Sequence, residues 1–238
     1  MFCQSCGSQI TPNVQFCPSC GEQQPAIAGG SPLPIPGVQA VGPVSNFVVP
    51  TGVKARTGHW ISEGWQIVRE DIGVFMGMAL LFVIITSSVP LILQGPLMAG
   101  FHLAFMRKMV RGTVDIGDLF KGFNFFVPTL IASLAIHFLT AIGFLFCIIP
   151  GLVIAAMYMF TFLFIIDKRM DFWEAMKASH EVVRNDYFGF TLFLLTCGLV
   201  TLLGVLCLVV GILVAIPVVI AAITVAYKEI VGFEPTTI

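Results

Sequence analysis

Polar and apolar positions separate along this chain on a scale far longer than one helical turn. Residues 72–106, 122–166 and 187–227 contain no Asp, Glu, Lys or Arg, which makes runs of 35, 45 and 41 residues. A membrane-spanning helix needs about 20 apolar residues, so each run predicts two helices and a turn. The middle run shows the plan: one arm climbs from Pro128-Thr129-Leu130, breaks at Ile148-Ile149-Pro150-Gly151, and a second descends from Leu152-Val153-Ile154. Pro lacks a donor and Gly tolerates left-handed backbone, so Pro150-Gly151 is the predicted turn, with Gly95-Pro96 and Gly211 as its equivalents. The expected fold is an all-α membrane domain over 59–232, a six-helix bundle of three hairpins. Its spans fall at about 72–93, 96–110, 124–147, 151–166, 187–209 and 212–228, before a tail at 233–238. The return arm at 97–106 is short, so a first turn near Ser87-Ser88-Val89-Pro90 is a second placement. Hairpins that wedge into one leaflet without crossing are an alternative geometry.

Before each run the apolar period changes to that of an amphipathic helix. Trp60, Gly64, Ile67 and Val68 make the first stripe, Ile116, Leu119, Phe120 and Phe123 the second. Trp173, Met176, His180, Val183 and Tyr187 make the third, opposite Glu174, Lys177, Glu181 and Arg184. Asp171 with Glu174 reads as a capping-box start. Such lead-in helices suit the bilayer interface or dock on the ends of the bundle. The segment Ile67-Val68-Arg69-Glu70-Asp71 is echoed by Val182-Val183-Arg184-Asn185-Asp186. Asp118-Leu119-Phe120-Lys121-Gly122-Phe123 falls near the midpoint, so three related units are expected.

Charge then orients the bundle. Only 11% of residues are charged, against about 25% in soluble proteins. Arg107, Lys108, Arg111 and Lys121 separate the first two runs; Lys168, Arg169, Lys177 and Arg184 separate the last two. The predicted turns carry no charge, so the positive-inside rule puts both basic loops, and with them both termini, in the cytoplasm of a bacterial inner (plasma) membrane. Met1-Phe2-Cys3 has neither a basic nor an apolar leader pattern, so no cleaved signal is expected.

The first 24 residues are of another kind. Cys3 and Cys6, separated by Gln4-Ser5, and Cys17 and Cys20, separated by Pro18-Ser19, form two CxxC pairs, each followed by Gly. Four thiolates suit one tetrahedral, structural Zn²⁺, and a piece this small takes much of its folding energy from the metal. Ile10 and Val14-Gln15-Phe16 are candidates for short strands, and two disulfides are the competing reading. This stretch resembles the small β zinc ribbons at the N-terminus of many bacterial membrane and regulatory proteins. Glu22 is the one charged residue from Met1 to Val53, so nothing there neutralises phosphate and no nucleic acid is expected. Residues 25–58 hold six Pro and six Gly, a semi-extended linker that sustains neither helix nor sheet.

Chemistry is sparse. Within the apolar runs the ionisable side chains besides Cys147, Cys197, Cys207 and the tyrosines are His102 and His137. A neutral His bonded to a neighbouring helix is the plain expectation for both, and a proton site or metal ligand the sharper one. No nucleophile elbow, P-loop or metalloprotease motif occurs, so no enzyme is expected. Gly95-Pro96-Leu97, Gly100, Arg111-Gly112, Asp118 to Phe123, Ile148 to Gly151, Glu174-Ala175 and Ser179 together resemble a broad group of uncharacterised bacterial membrane proteins. That group is distantly similar to the membrane domain of some glycerophosphodiester phosphodiesterases. The resemblance implies a fold and carries over no catalytic residue. The expected role is a bilayer-embedded scaffold or adaptor whose ribbon recruits a cytoplasmic protein. A carrier or channel for neutral or amphiphilic solutes, and a membrane-shaping protein, are the alternatives.

Overall fold

The computed structural model describes residue 50 and residues 52–89 and 91–234, the side chains of 208 and 209 excepted. Among these residues the chain forms helices and no strand. In order they are α1 (Thr57–Glu70), α2 (Ile72–Ser88), α3 (Gln94–Arg111), a 3-10 segment (Ile116–Phe125), α4 (Phe126–Phe146), α5 (Ile148–Met157), α6 (Thr161–Asp167), α7 (Phe172–Val183), α8 (Tyr187–Leu206) and α9 (Leu208–Ile230). The expected ribbon strands at 10 and 14–16 lie outside the described residues.

Four stretches are long and apolar enough to cross a membrane: Ile116–Phe146, Ile148–Asp167, Tyr187–Leu206 and Val210–Ile230. α1 and α2 meet at a bend of 100° and together make a fifth, broken one. The six expected spans therefore become four or five among the described residues. Two physical facts account for the loss. At 1.5 Å per residue α2 is about 25 Å long, short of a hydrocarbon core of about 30 Å. α3 carries Arg107, Lys108 and Arg111 and buries Gly95, Pro96, Leu97, Phe101, His102 and Phe105 inside the protein.

The turns also differ from expectation. α4 and α5 are joined by Cys147 alone, and α8 and α9 by Cys207 alone. Pro150 and Pro96 sit in the first turns of α5 and α3, where a missing N–H costs no intrahelical bond. The glycines expected at the bends serve instead as flat contact points between helix arms. A Cβ on Gly143 would lie 2.9 Å from the Gly151 Cα, and one on Gly204 would lie 2.7 Å from the Gly211 carbonyl oxygen. α2 ends at Ser88 and α3 begins at Gln94, so the first helix break falls at the second of the two placements read from the sequence.

α1 packs along α9 so closely that a Cβ on Gly64 would meet the Ala222 nitrogen at 2.8 Å. Trp60, Gly64 and Val68 are buried there, as the first stripe predicts. The second stripe changes period. A 3-10 helix repeats every three residues, so Leu119 and Gly122 face inward while Phe120 and Phe123 share an exposed face; Ile116, at the start of the segment, is exposed as well. A Cβ on Gly122 would meet the Pro96 carbonyl oxygen and one on Gly100 the Leu119 carbonyl oxygen. This close approach selects the tighter helix. The third stripe is rotated. α7 buries Ala175, Met176, Ala178, Ser179, Val182 and Val183, and leaves Trp173 exposed under the Lys177 ammonium. Asp171 makes no capping bond. The reciprocal cap is at the 3-10 segment, where Asp115 accepts from Gly117 N and Asp118 accepts from Asp115 N.

The core lies at the end where the charges are. Trp60, Phe190 and Phe193 stack there against Phe160, Phe164 and Tyr227 of neighbouring helices. Phe75, Phe101 and Phe105 fill the second cluster with Met78, Leu97 and Val218. The opposite end is apolar and open: Leu145, Phe146, Ile148 and Ile149 on one hairpin and Leu203, Leu206 and Val210 on the other are exposed.

Candidate functional site

The charged end is built from carboxylates that join elements distant in sequence. Asp118, buried at 1% exposure, receives Arg107 from α3 and Lys121 at 2.6 Å. Lys108 reaches Asp71 at 2.5 Å and Glu70 at 3.1 Å, tying α3 to the α1–α2 bend. Asp167 accepts from the Tyr227 hydroxyl at 3.0 Å and from Glu234 N at 2.8 Å, which fixes the chain after α9. Glu229 takes Arg56 at 2.7 Å and the Trp60 indole N–H at 2.6 Å. Asp186 accepts from Gly189 N as a cap for α8 and also from Ala55 N. Asn185 accepts from Gly52 N and donates to the Pro50 carbonyl. The last residues of the Pro- and Gly-rich stretch are thus held on the corner between α7 and α8.

Each of these acids has a structural partner, so the arrangement neutralises buried charge rather than presenting it. Among the described residues no group of three or more His, Cys, Asp and Glu is placed to hold a metal. Lys54, Arg69, Arg111, Arg169, Arg184 and Lys228 enter no ion pair with a described acid. With exposed Trp65 and Trp173 they suit the headgroup level of a bilayer.

The two histidines part company. His102 is buried and its Nδ1 lies 2.8 Å from the Thr224 hydroxyl, which itself donates to the Ile220 carbonyl. Nδ1 is therefore the protonated nitrogen, and the ring is a neutral link between α3 and α9, as the plain reading expects. His137 is exposed on α4, with Nδ1 at 2.7 Å from the Ser133 carbonyl oxygen.

The sequence marked Ser179 only through the resemblance, and neither its bonding role nor the break between α5 and α6 was read from it. Ser179 Oγ accepts from Phe160 N at 3.2 Å and donates to the Met157 carbonyl at 2.8 Å. A small hydroxyl amid Ala175 and Ala178 was the available signal. Cys147 and Cys207 are exposed at the hairpin tips and Cys197 is buried.

Cys3, Cys6, Cys17 and Cys20 lie outside the described residues. Their chemistry fits zinc, since four thiolates in two CxxC pairs match a closed tetrahedral site. Residues 2–23 match the zinc-ribbon domain family. The chain is also similar to an uncharacterized protein of Mycobacterium bovis and to two of Mycobacterium tuberculosis. Each is 27% identical over 199 residues, 81% of this chain and 58% of the relative. The chain thus spans 58% of the length of these curated relatives. No solved structure matches.

Proposed function

We propose that this chain is a non-enzymatic scaffold of the plasma membrane whose N-terminal ribbon, holding one structural zinc, recruits a protein partner on the cytoplasmic side. The observation that carries this reading is the use made of the charged end. Asp118, Asp167, Asp186 and Glu229 are each spent on joining elements, and two of them, with Asn185, hold residues 50–56, the end of the ribbon's tether. A firm anchor for a metal module without phosphate-binding charge fits protein recruitment better than catalysis. The basic residues of this end support a cytoplasmic placement of both termini by the positive-inside rule.

The test is co-purification of the intact chain and of a form lacking residues 1–24 from the same membranes. A protein retained by the intact chain and lost with the ribbon supports recruitment. Identical protein content in both preparations contradicts it. The second reading, passage or binding of a neutral solute, is favoured by polar groups on the apolar side of the molecule.

A further inference from the structure

The sequence echo between 67–71 and 182–186 has a counterpart in space. Three repeats follow one another along the helices: α1, α2 and α3; the 3-10 segment, α4 and α5–α6; α7, α8 and α9. In each, the lead-in helix sets one small residue over the backbone of another repeat's return arm. Gly122 of the 3-10 segment lies over the Pro96 carbonyl and the Gly100 nitrogen of α3. Ser179 of α7 donates to the Met157 carbonyl and accepts from Phe160 N, where α5 ends. Gly64 of α1 lies over the Val218 carbonyl and the Ala222 nitrogen of α9, where a Cβ would stand 3.1 and 2.8 Å from them. Each time the seat is a carbonyl and a nitrogen three or four residues apart. The spacings agree with the echo. Gly64 and Ser179 are 115 positions apart, as are Ile67 and Val182, while Pro96 and Gly100 stand 122 before Val218 and Ala222. The second repeat thus seats on the first, the third on the second, and the first on the third, so the repeats close into a ring.

The three junctions are not held alike. The 3-10 segment runs between α3 and α4, and α7 between α6 and α8, so neither leaves its seat without moving a helix at each end. α1 joins a helix only at Asp71, where it meets α2 at 100°; residues 52–56 before it are not helical. The corners differ too. In the first repeat Glu70 and Asp71 hold Lys108 of the return arm. The position 122 further on is Ile230, and in the third repeat Asn185 and Asp186 hold the amides of Gly52 at 3.3 Å and Ala55 at 3.2 Å instead. Arg56 and the Trp60 indole then close on Glu229 at 2.7 and 2.6 Å. All four contacts lie at the end of α1 away from α2, and the Arg56 and Glu229 side chains are partly open to solvent. A free helix of 14 residues is marginal in water, so α1 depends on this strap and on its seat.

We propose that residues 50–60 form a releasable clasp on this ring: α1 swings off α9 about the Asp71 corner while the other two junctions stay shut. Residues at the end of an element commonly act as such hinges. Opening uncovers the face of α9 that carries Val218 and Ala222, and takes Trp60 from its seat beside Phe190 and Phe193. Residues 1–49 join the helices through the strap, so a pull on the ribbon reaches this junction first. The clasp itself stands on α1, α8 and α9 and does not depend on what the ribbon binds.

The test compares two equivalent positions, Val68 of α1 and Val183 of α7, both fully buried and 115 apart. Val68→Cys and Val183→Cys are made separately in the full chain. Modification by iodoacetamide is followed in detergent well below the unfolding temperature, with each thiol scored by mass spectrometry. A buried thiol reacts only when its element opens, so position 68 should react at least about tenfold faster than 183. Glu229→Ala removes both the Arg56 and the Trp60 contact. It should speed position 68 by at least about tenfold more and leave 183 unchanged. Equal rates at 68 and 183 overturn the clasp. So does Glu229→Ala if it leaves position 68 unchanged, or if it speeds both positions alike, which reports loosening of the whole fold. Should a cysteine variant fail to fold, amide hydrogen exchange of the parent chain decides. Amides of α1 should then exchange at least about tenfold faster than those of α7, and equal protection of the two helices contradicts the release of α1.

Discussion

Where α5 stops and α6 begins, Phe160 N and the Met157 carbonyl would face apolar side chains were it not for the Ser179 hydroxyl. A buried donor or acceptor left without a partner costs about 1–3 kcal/mol. Ser179→Ala should therefore lower the thermal midpoint of the purified protein, while Ser179→Thr, which keeps the hydroxyl, should recover part of the loss. An unchanged midpoint in Ser179→Ala would mean that the break is satisfied in another way. Asp118 is the second such position. Asp118→Asn leaves Arg107 and Lys121 without their shared carboxylate, and breaking a buried pair costs about 3–5 kcal/mol. The loss should fall at or below the low end, since Lys121 is half-exposed and can turn to water. Thermal unfolding in detergent measures it. Neither role was readable from composition. Ser179 belongs to a run of small residues, and its partners are 19 and 22 positions away.

At the scale of the element, apolar periodicity foretold that α1 buries Trp60, Gly64 and Val68, and it placed the long helices near their observed limits. It failed where the period was not 3.6. The 3-10 segment follows a repeat of three because Gly100 and Gly122 bring two backbones together, a property of the pair that neither stretch displays alone. It failed also for Trp173, whose size suggests core while its place beside Lys177 suits a wet interface. Glycine and proline were read as turns when their use is packing and helix initiation. The hairpins give the test. Gly204→Val puts a branched side chain where even a Cβ would lie 2.6 Å from the Ala215 Cβ. Overpacking of this kind costs about 1–3 kcal/mol, so the variant should unfold at lower temperature and expose more of α8 and α9 to proteolysis. Gly198→Val, at a glycine with open space around it, should behave like the parent. Equal effects at both sites would show that helix propensity, not the hairpin contact, is being measured.

Among the described residues, one end of the helical unit holds the charges and the other holds none. This division was legible in the sequence, because a run without Asp, Glu, Lys or Arg has few other uses. The number of crossings was not, since α3 is apolar for reasons of protein packing and α2 is too short to span alone. The ribbon was legible from four residues, Cys3, Cys6, Cys17 and Cys20. If it is an independent module, Cys6→Ser should remove most of about one bound zinc per chain, measured by elemental analysis. The same variant should still insert into membranes, and failure to insert would show that the two parts depend on each other. The central claim is that two long hairpins cross the bilayer from a single charged base. The exposed thiols of Cys147 and Cys207 allow that claim to be tested directly, by treating intact cells with a membrane-impermeant maleimide. Both should be labelled from outside, with each signal abolished by its own Cys→Ser change, while Gly112→Cys on the charged base should be labelled only after permeabilisation. Protection of both tips in intact cells, or labelling of Gly112→Cys from outside, would contradict it.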